Sequence, residues 1–389
     1  MKLFPDGFLW GASTASFQVE GGIENNDWAE AAREGRAPPA GAACDFYNRY
    51  EADFDIAKGL GMNAQRFSIE WARIEPQEGK FDEAEIEHYR GVLRALHARG
   101  LTPMVNLWHF TLPQWFAERG GFLQREAPEI FARYCRFVVE RLGSEAELWL
   151  THNEPMVYTS NGYLRGLWPP FLKDPVRYLR IISKIAAAHR AAYKAMKEAR
   201  PGISIGIAKH NIFFEANGNP FNQLLCRFTD WFWNHRFLQL IAGHQDFIGL
   251  NHYFHSKFGE TRAERAAMVR SDMGWEVHPT SLLECLRGLK RYNLPIYISE
   301  HGVADVEDKL RAAFLRNAAR SVHQATQEGL PVKGYFYWSL LDNYEWAHGF
   351  TQRFGLIEVN YETMERTVRP SASVYKQIVE ANALIDPVR

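Results

Sequence analysis

Two glutamates in polar company are the residues of this chain best suited to chemistry. Glu154 stands in Thr151-His152-Asn153-Glu154-Pro155, and Glu300 in Tyr297-Ile298-Ser299-Glu300-His301-Gly302. Each closes a short apolar run. Similar runs lead to Gln18, Arg66 to Glu70, His109, His210-Asn211, Asn251-His252-Tyr253 and Trp338. One glutamate in such a place is ordinarily a salt-bridged rim residue. Two facing a common ligand can divide labour: one, with a raised pKa, protonates a departing oxygen, while the other attacks carbon or activates water. That is the chemistry of acetal cleavage. Gln, Asn, His and Glu can direct hydrogen bonds to hydroxyls, and Trp or Tyr can cover the apolar C–H face of a sugar ring.

For these groups to meet, the ends of separate strands must converge. The strand candidates are Phe8–Ala12, Asn63–Ile69, Thr102–Trp108, Glu147–Asn153, Ile203–His210, Phe247–Tyr253, Pro295–Glu300 and Val332–Ser339. Several are almost wholly apolar, as strands buried on both faces of a parallel sheet must be. Amphipathic helices are predicted between them, at Phe81–Arg99, Ala127–Leu142, Asp174–Ala199 and Asp305–Glu328; Gly100, Gly143, Pro201-Gly202 and Gly329 stop them. Eight strands alternating with helices predict an α/β chain folded as one (β/α)₈ TIM barrel over residues 1–389, with chemistry at the C-terminal strand ends. A doubly wound open sheet is disfavoured, because Gly11-Ala12-Ser13-Thr14-Ala15 after the first strand is no GxGxxG phosphate loop. In an eight-membered ring the fourth and seventh ends, where Glu154 and Glu300 fall, lie across the mouth from each other.

Composition narrows the ligand. The 389 residues carry 45 Lys+Arg against 46 Asp+Glu, a net charge of −1, so nothing electrostatic points to nucleic acid as a partner. No apolar stretch reaches the length of a membrane span. The 26 Phe, 16 Tyr and 12 Trp are unusually many. A small neutral molecule, with no cofactor and no metal, is the expected partner; oligomeric state is left open. Met1-Lys2-Leu3-Phe4-Pro5-Asp6 lacks a signal-peptide pattern, and Cys44, Cys135, Cys226 and Cys285 are widely spaced, which suggests reduced thiols in a cytoplasmic protein.

Six segments together resemble family 1 of the glycoside hydrolases, the retaining β-glucosidase and β-galactosidase family, over almost the whole chain. They are Phe4-Pro5-Asp6-Gly7-Phe8-Leu9-Trp10-Gly11-Ala12-Ser13 with Gln18-Val19-Glu20-Gly21; Arg66-Phe67-Ser68-Ile69-Glu70-Trp71; the two glutamate motifs; Gly249-Leu250-Asn251-His252-Tyr253; and Trp338-Ser339 through Trp346 to Arg353-Phe354-Gly355-Leu356. The compact archaeal and bacterial β-glycosidases are the most similar in kind. The resemblance implies that Glu154 is the acid/base and Glu300 the nucleophile, aimed by Arg66 and Tyr253. It also implies that Gln18, His109, Asn153, Asn251, Trp338, Glu345, Trp346 and Phe354 bind substrate, and that Trp338-Ser339 is cis. Family members acting on 6-phosphorylated sugars carry serine where Glu345 stands, so an unphosphorylated β-glycoside or oligosaccharide is expected. Transglycosylation through the same intermediate, or a catalytically inactive sugar-binding barrel, is the alternative.

The chain departs from the family in two ways. His152, His252 and His301 replace an apolar residue, an aromatic and an asparagine. Each is read first as a satisfied packing imidazole; the sharper reading lets His152 or His301 alter the pH profile. The chain is also short around Ala242–Asp246 and Phe254–Trp275, which predicts an open aglycone side. A metal-dependent hydrolase built on His109, His152, His210, His252 and His301 is disfavoured by the absence of an HExxH or His-x-His motif.

Overall fold

The computed structural model describes residues 2–385. Eight parallel strands close into a barrel: β1 (Leu9–Ser13), β2 (Ala64–Ser68), β3 (Thr102–Asn106), β4 (Leu148–Asn153), β5 (Ser204–Ala216), β6 (Phe247–Phe258), β7 (Ile296–His301) and β8 (Val332–Trp338). β8 returns to β1 in register from Leu9↔Gly334 to Ser13↔Trp338, so the sheet has no free edge. A narrow interior is filled by Ala64, Met104, Leu148, Leu150, Ala208, Phe247 and Phe336. The larger apolar cluster lies between strands and helices, as in any barrel with a surrounding helical ring.

The helices begin and end for local reasons. Asp82 accepts hydrogen bonds from the amides of Ala84 and Glu85 and opens Glu83–Ala98; Asp174 does the same for Val176 and Arg177 ahead of Pro175–Ala199. Ala127–Leu142 has the bounds read from the sequence. The helix expected from Asp305 begins only at Arg311, because the Asp305 carboxylate accepts from the amides of Lys309, Leu310 and Arg311 and folds the intervening residues into a capping loop. The C-terminal helix Pro370–Ala381 lies under the β1–β8 seam, where Tyr375 donates to the Gly11 carbonyl at 2.6 Å.

Two strands outrun their expected ends. β5 and β6 stay paired past the barrel mouth, from Phe213↔His255 to Ala216↔Phe258, and raise a two-stranded wall above it. Gly302 follows Glu300 and His301 where β7 meets β8. A Cβ there would lie 1.8 Å from the Trp338 carbonyl oxygen, so only glycine permits this approach. Among the described residues no helix is long and apolar enough to cross a membrane.

Candidate active site

The barrel mouth opens into a cavity of about 790 Å³. Gln18, His109, Asn153, Glu154, Tyr253, Glu300, Trp338, Glu345, Trp346 and Phe354 all line it. These residues come from β4, β6, β7, β8 and the loops beyond the strands, and no two motifs that supply them are neighbours in sequence. Two residues expected at the site, Arg66 and Asn251, are fully buried behind the lining. Both act on lining groups through hydrogen bonds.

The two carboxyls have unlike surroundings. Glu300 is gripped on one oxygen by the Arg66 guanidinium, and its other oxygen accepts from the Tyr253 hydroxyl at 2.7 Å. Arg66 also donates to Asn153 Oδ1 at 2.6 Å, which fixes the side chain next to Glu154. Glu154 accepts one hydrogen bond, from Asn251 Nδ2 at 2.8 Å, and Asn251 is itself held by Ser299 Oγ at 2.7 Å. Burial, and then the neighbouring Glu300 charge, push the Glu154 pKa up to about 8; the Asn251 hydrogen bond, Arg66 and Lys209 oppose the rise. Its backbone sits in the left-handed region at φ 45°, where β4 turns sharply into Pro155–Thr159, and its amide donates to the Ala208 carbonyl at 2.8 Å.

The rest of the lining is arranged for a polar ligand with apolar faces. Gln18 gives both amide protons to the protein, to Asn343 Oδ1 and the Tyr344 carbonyl, and leaves its Oε1 buried without a partner. Glu345 Oε2 is likewise buried and unpartnered. Two orphan acceptors in one cavity are what a ligand rich in hydroxyls would satisfy. Burial, then repulsion from Glu300, raise the Glu345 pKa to about 8. The Trp338 and Trp346 rings both lie nearly parallel to His109, at 5.9 Å and 6.0 Å. The Trp338-Ser339 peptide bond is cis.

Several lining residues were not singled out by sequence reasoning. Phe110, Trp168, Trp233, Phe254, Met273 and Trp275 form the outer walls. Phe254 and Trp275 lie in a segment recognised only as short and polar. Lys209 is the less visible omission: fully buried on β5, it donates to the His210 carbonyl, has no carboxylate within ion-pair distance among the described residues, and burial lowers its pKa to about 7. Its one signal is a lysine inside the apolar run Ile203–His210.

The unusual histidines do not gather at the cavity. His252 lies between the Asn211 carbonyl and Ser281 Oγ, outside the barrel, as strand alternation predicts. His301 meets the Tyr335 hydroxyl, and His152 meets Thr151 Oγ1. Only His109 and His210 of the five considered as metal ligands line the cavity. Trp10, Trp71 and Trp149 are core residues, and Trp115 packs against the same core.

A sequence profile described as Glycosyl hydrolase family 1 matches residues 1–225 and 229–384. Beta-glucosidase A of Thermotoga maritima is 33% identical over 444 residues, covering 99% of this chain and 100% of the relative, which therefore carries insertions that this chain lacks. Among solved structures, a beta-glycosidase from Pyrococcus horikoshii superposes with a TM-score of 0.92 at 36% identity, covering 99% of this chain and 96% of that one. A family 1 b-glucosidase from Thermotoga maritima in complex with isofagomine lactam gives 0.93 at 32% identity over 99% of this chain and 100% of its own.

Proposed function

Since this chain belongs to glycosyl hydrolase family 1 and is a β-glycosidase, we propose that Glu154 and Glu300 cleave unphosphorylated β-glycosides with retention of configuration. The observation that carries this reading is the asymmetry of the pair. Glu300 has its charge matched by Arg66 and its second oxygen fixed by Tyr253, the arrangement of a nucleophile aimed at carbon. Glu154, with a pKa near 8, holds a proton at neutral pH and can give it to the leaving oxygen.

The reaction follows from these charges. Glu300 attacks the anomeric carbon as Glu154 protonates the aglycone oxygen, forming a covalent glycosyl ester. Esterification removes the Glu300 charge, and with it the repulsion that helped keep Glu154 protonated. Glu154 then accepts a proton from water, which attacks the ester. A hydroxyl of another sugar could attack instead, so transglycosylation shares the intermediate. Retention requires the two carboxyls to stand about 5–5.5 Å apart. Asn153, fixed by Arg66, is the partner for the 2-hydroxyl; Gln18 and Glu345 take further hydroxyls; Trp338 and Trp346 cover the ring, with Phe354 near C6. Glu345, which holds its proton at neutral pH, offers a phosphate no positive charge. The apolar outer walls formed by Trp168, Trp233, Phe254 and Trp275 support bulky aryl or alkyl aglycones. We take the barrel of residues 1–389 as one catalytic unit, and the free thiols support a reducing, cytoplasmic setting.

A panel of nitrophenyl β-glycosides tests the roles. Glu300→Ala should lose at least about 10⁴-fold in kcat on every substrate. Glu154→Ala should lose about 10²–10⁴-fold on substrates with poor leaving groups, but far less in glycosylation by dinitrophenyl glycosides, whose leaving group needs no proton. Equal losses by Glu154→Ala in single-turnover glycosylation of both substrate classes would remove Glu154 from the acid role.

A further inference from the structure

At the cavity rim, on the wall that β5 and β6 raise above the barrel, three side chains converge that glycoside cleavage does not use. We propose that His255, Glu276 and His278 form a binding site for a divalent transition-metal ion of the Zn²⁺ type, which clips the loop after β6 onto the strand. One ligand atom from each residue lies within 4.8 Å of the other two, and this is the one such cluster among the described residues. Two imidazoles and a carboxylate are a donor set that Zn²⁺ accepts, with a fourth position left for water.

The local fold explains the convergence. After β6 the chain makes a small hairpin: the Val277 amide donates to the Val269 carbonyl, Arg270 and Glu276 bridge antiparallel, and Gly274 closes the turn on Ser271. In this extended segment Glu276 and His278 are two residues apart, so both side chains leave on the same face. That face meets His255, whose side chain is 6% exposed.

The hydrogen bonds match a metal-ligating histidine in waiting. His255 Nε2 lies 2.7 Å from Glu215 Oε2 on β5, and Nδ1 lies 2.6 Å from Glu276 Oε2. With Nε2–H donating to Glu215, Nδ1 is free for an ion; a carboxylate behind the ligating imidazole is the usual orienting partner. His278 Nδ1 is buried without a hydrogen-bond partner, and its ring stacks on His255 at 4.6 Å. An ion between His255 Nδ1 and Glu276 would also give the orphan nitrogen of His278 a partner. Ligands of a tetrahedral ion stand about 3.3–3.5 Å apart. The His255–Glu276 contact must open slightly and His278 must close in, a movement confined to side chains on a short hairpin.

The consequence would fall on the aglycone wall. His255, Met273 and Trp275 line the cavity, and Trp275 packs on Phe254 at 4.4 Å. Holding Glu276 and His278 on β6 holds Trp275 there too. This consequence, unlike the site itself, rests on reading the cavity's outer walls as the aglycone site.

Calorimetric titration of the chelator-treated full chain with Zn²⁺ alone tests the site. One ion per chain is expected, with binding lost in His278→Gln and weakened about 10–100-fold in Glu215→Gln. Thermal melts in EDTA that match wild type would establish that both variants fold. No saturable binding by wild type, or one-to-one binding that folded His278→Gln retains, would overturn the site and leave His255 as a hydrogen-bonded link between two carboxyl side chains. With Zn²⁺ bound, KM for a nitrophenyl glycoside should change and KM for a methyl glycoside should not. An equal response of the two would overturn the clip without touching the site.

Discussion

Glu154 takes its character from charges on three strands. Glu300 on β7 raises its pKa; Arg66 on β2 and Lys209 on β5 lower it. Lys209 is adjacent by construction, since the Glu154 amide is bonded to Ala208, the residue before it. Lys209, with a pKa of about 7, has largely lost its charge where Glu154 titrates near 8. Lys209→Arg would keep a charge there, which favours the Glu154 carboxylate and lowers its pKa. Activity is lost as Glu154 deprotonates, so the basic limb of kcat/KM, set near pH 8 in the native chain, should move to lower pH in Lys209→Arg and barely move in Lys209→Met. A pH–rate profile whose basic limb stays in place in Lys209→Arg would show that this position does not tune Glu154. His152 and His301 do not share this role: burial holds both well below the ordinary imidazole range, and neither lines the cavity. At this scale the two glutamates were legible because each sits in a distinctive motif at a strand end. Lys209 was not, because a lysine in a sequence is ordinarily read as an exposed charge, and only the fold puts this one beside a carboxyl.

The elements were legible where periodicity is strong and local. All eight strands and the barrel they form could be read from apolar runs, and the helices capped by Asp82 and Asp174 lie within two residues of their expected bounds. What escaped was structure decided by partners distant in sequence. β5 and β6 continue past polar residues because each supplies the other's hydrogen bonds, and the hairpin that carries Glu276 and His278 alternates only over Trp275-Glu276-Val277-His278, too short a run to mark a strand. The junction of β7 and β8 is also such a place. Gly302→Ala would drive a methyl into the Trp338 carbonyl, which is backbone and cannot rotate aside as a side chain could. The strand ends must separate, displacing Glu300 and Trp338 together. We expect a loss of about 3 kcal/mol or more in stability and a fall in kcat beyond what KM explains. Denaturant unfolding and steady-state kinetics on the same preparation would check this; an alanine variant of native stability and activity would show that the two ends have slack.

At the scale of the whole molecule, near-zero net charge conceals many buried titratable groups with displaced pKa values, and these set how stability depends on pH. Burial raises Glu20 to about 7 and Asp27, Glu154 and Glu345 to about 8. In the unfolded chain such groups lose their protons near pH 4, so from there to their folded values the native state binds more protons and stability falls as pH rises. The imidazoles act oppositely. Burial lowers His109, His152, His210 and His301 well below 6.5, and His88, His189 and His252 to about 4. Below the unfolded value of about 6.5 the unfolded chain binds more protons, so stability rises with pH up to that point. Between about pH 5 and 6.5 the seven strongly lowered imidazoles outweigh the four strongly raised carboxyls; Asp53, Glu70 and Glu85 are raised and His323 is lowered by smaller amounts. Above 6.5 the imidazoles no longer contribute, and up to about pH 8 the carboxyls that keep their protons outnumber Lys209, whose pKa of about 7 acts the other way. Melting temperature should therefore pass through a maximum near pH 6.5 and fall on both sides, more steeply toward acid. Calorimetry across pH 4.5–8.5 in buffers of matched ionization enthalpy would reveal it. A melting temperature that climbed steadily to pH 8 would mean that the cavity carboxyls shed their protons in the folded protein, and Glu154 would then lack the proton that its proposed role requires.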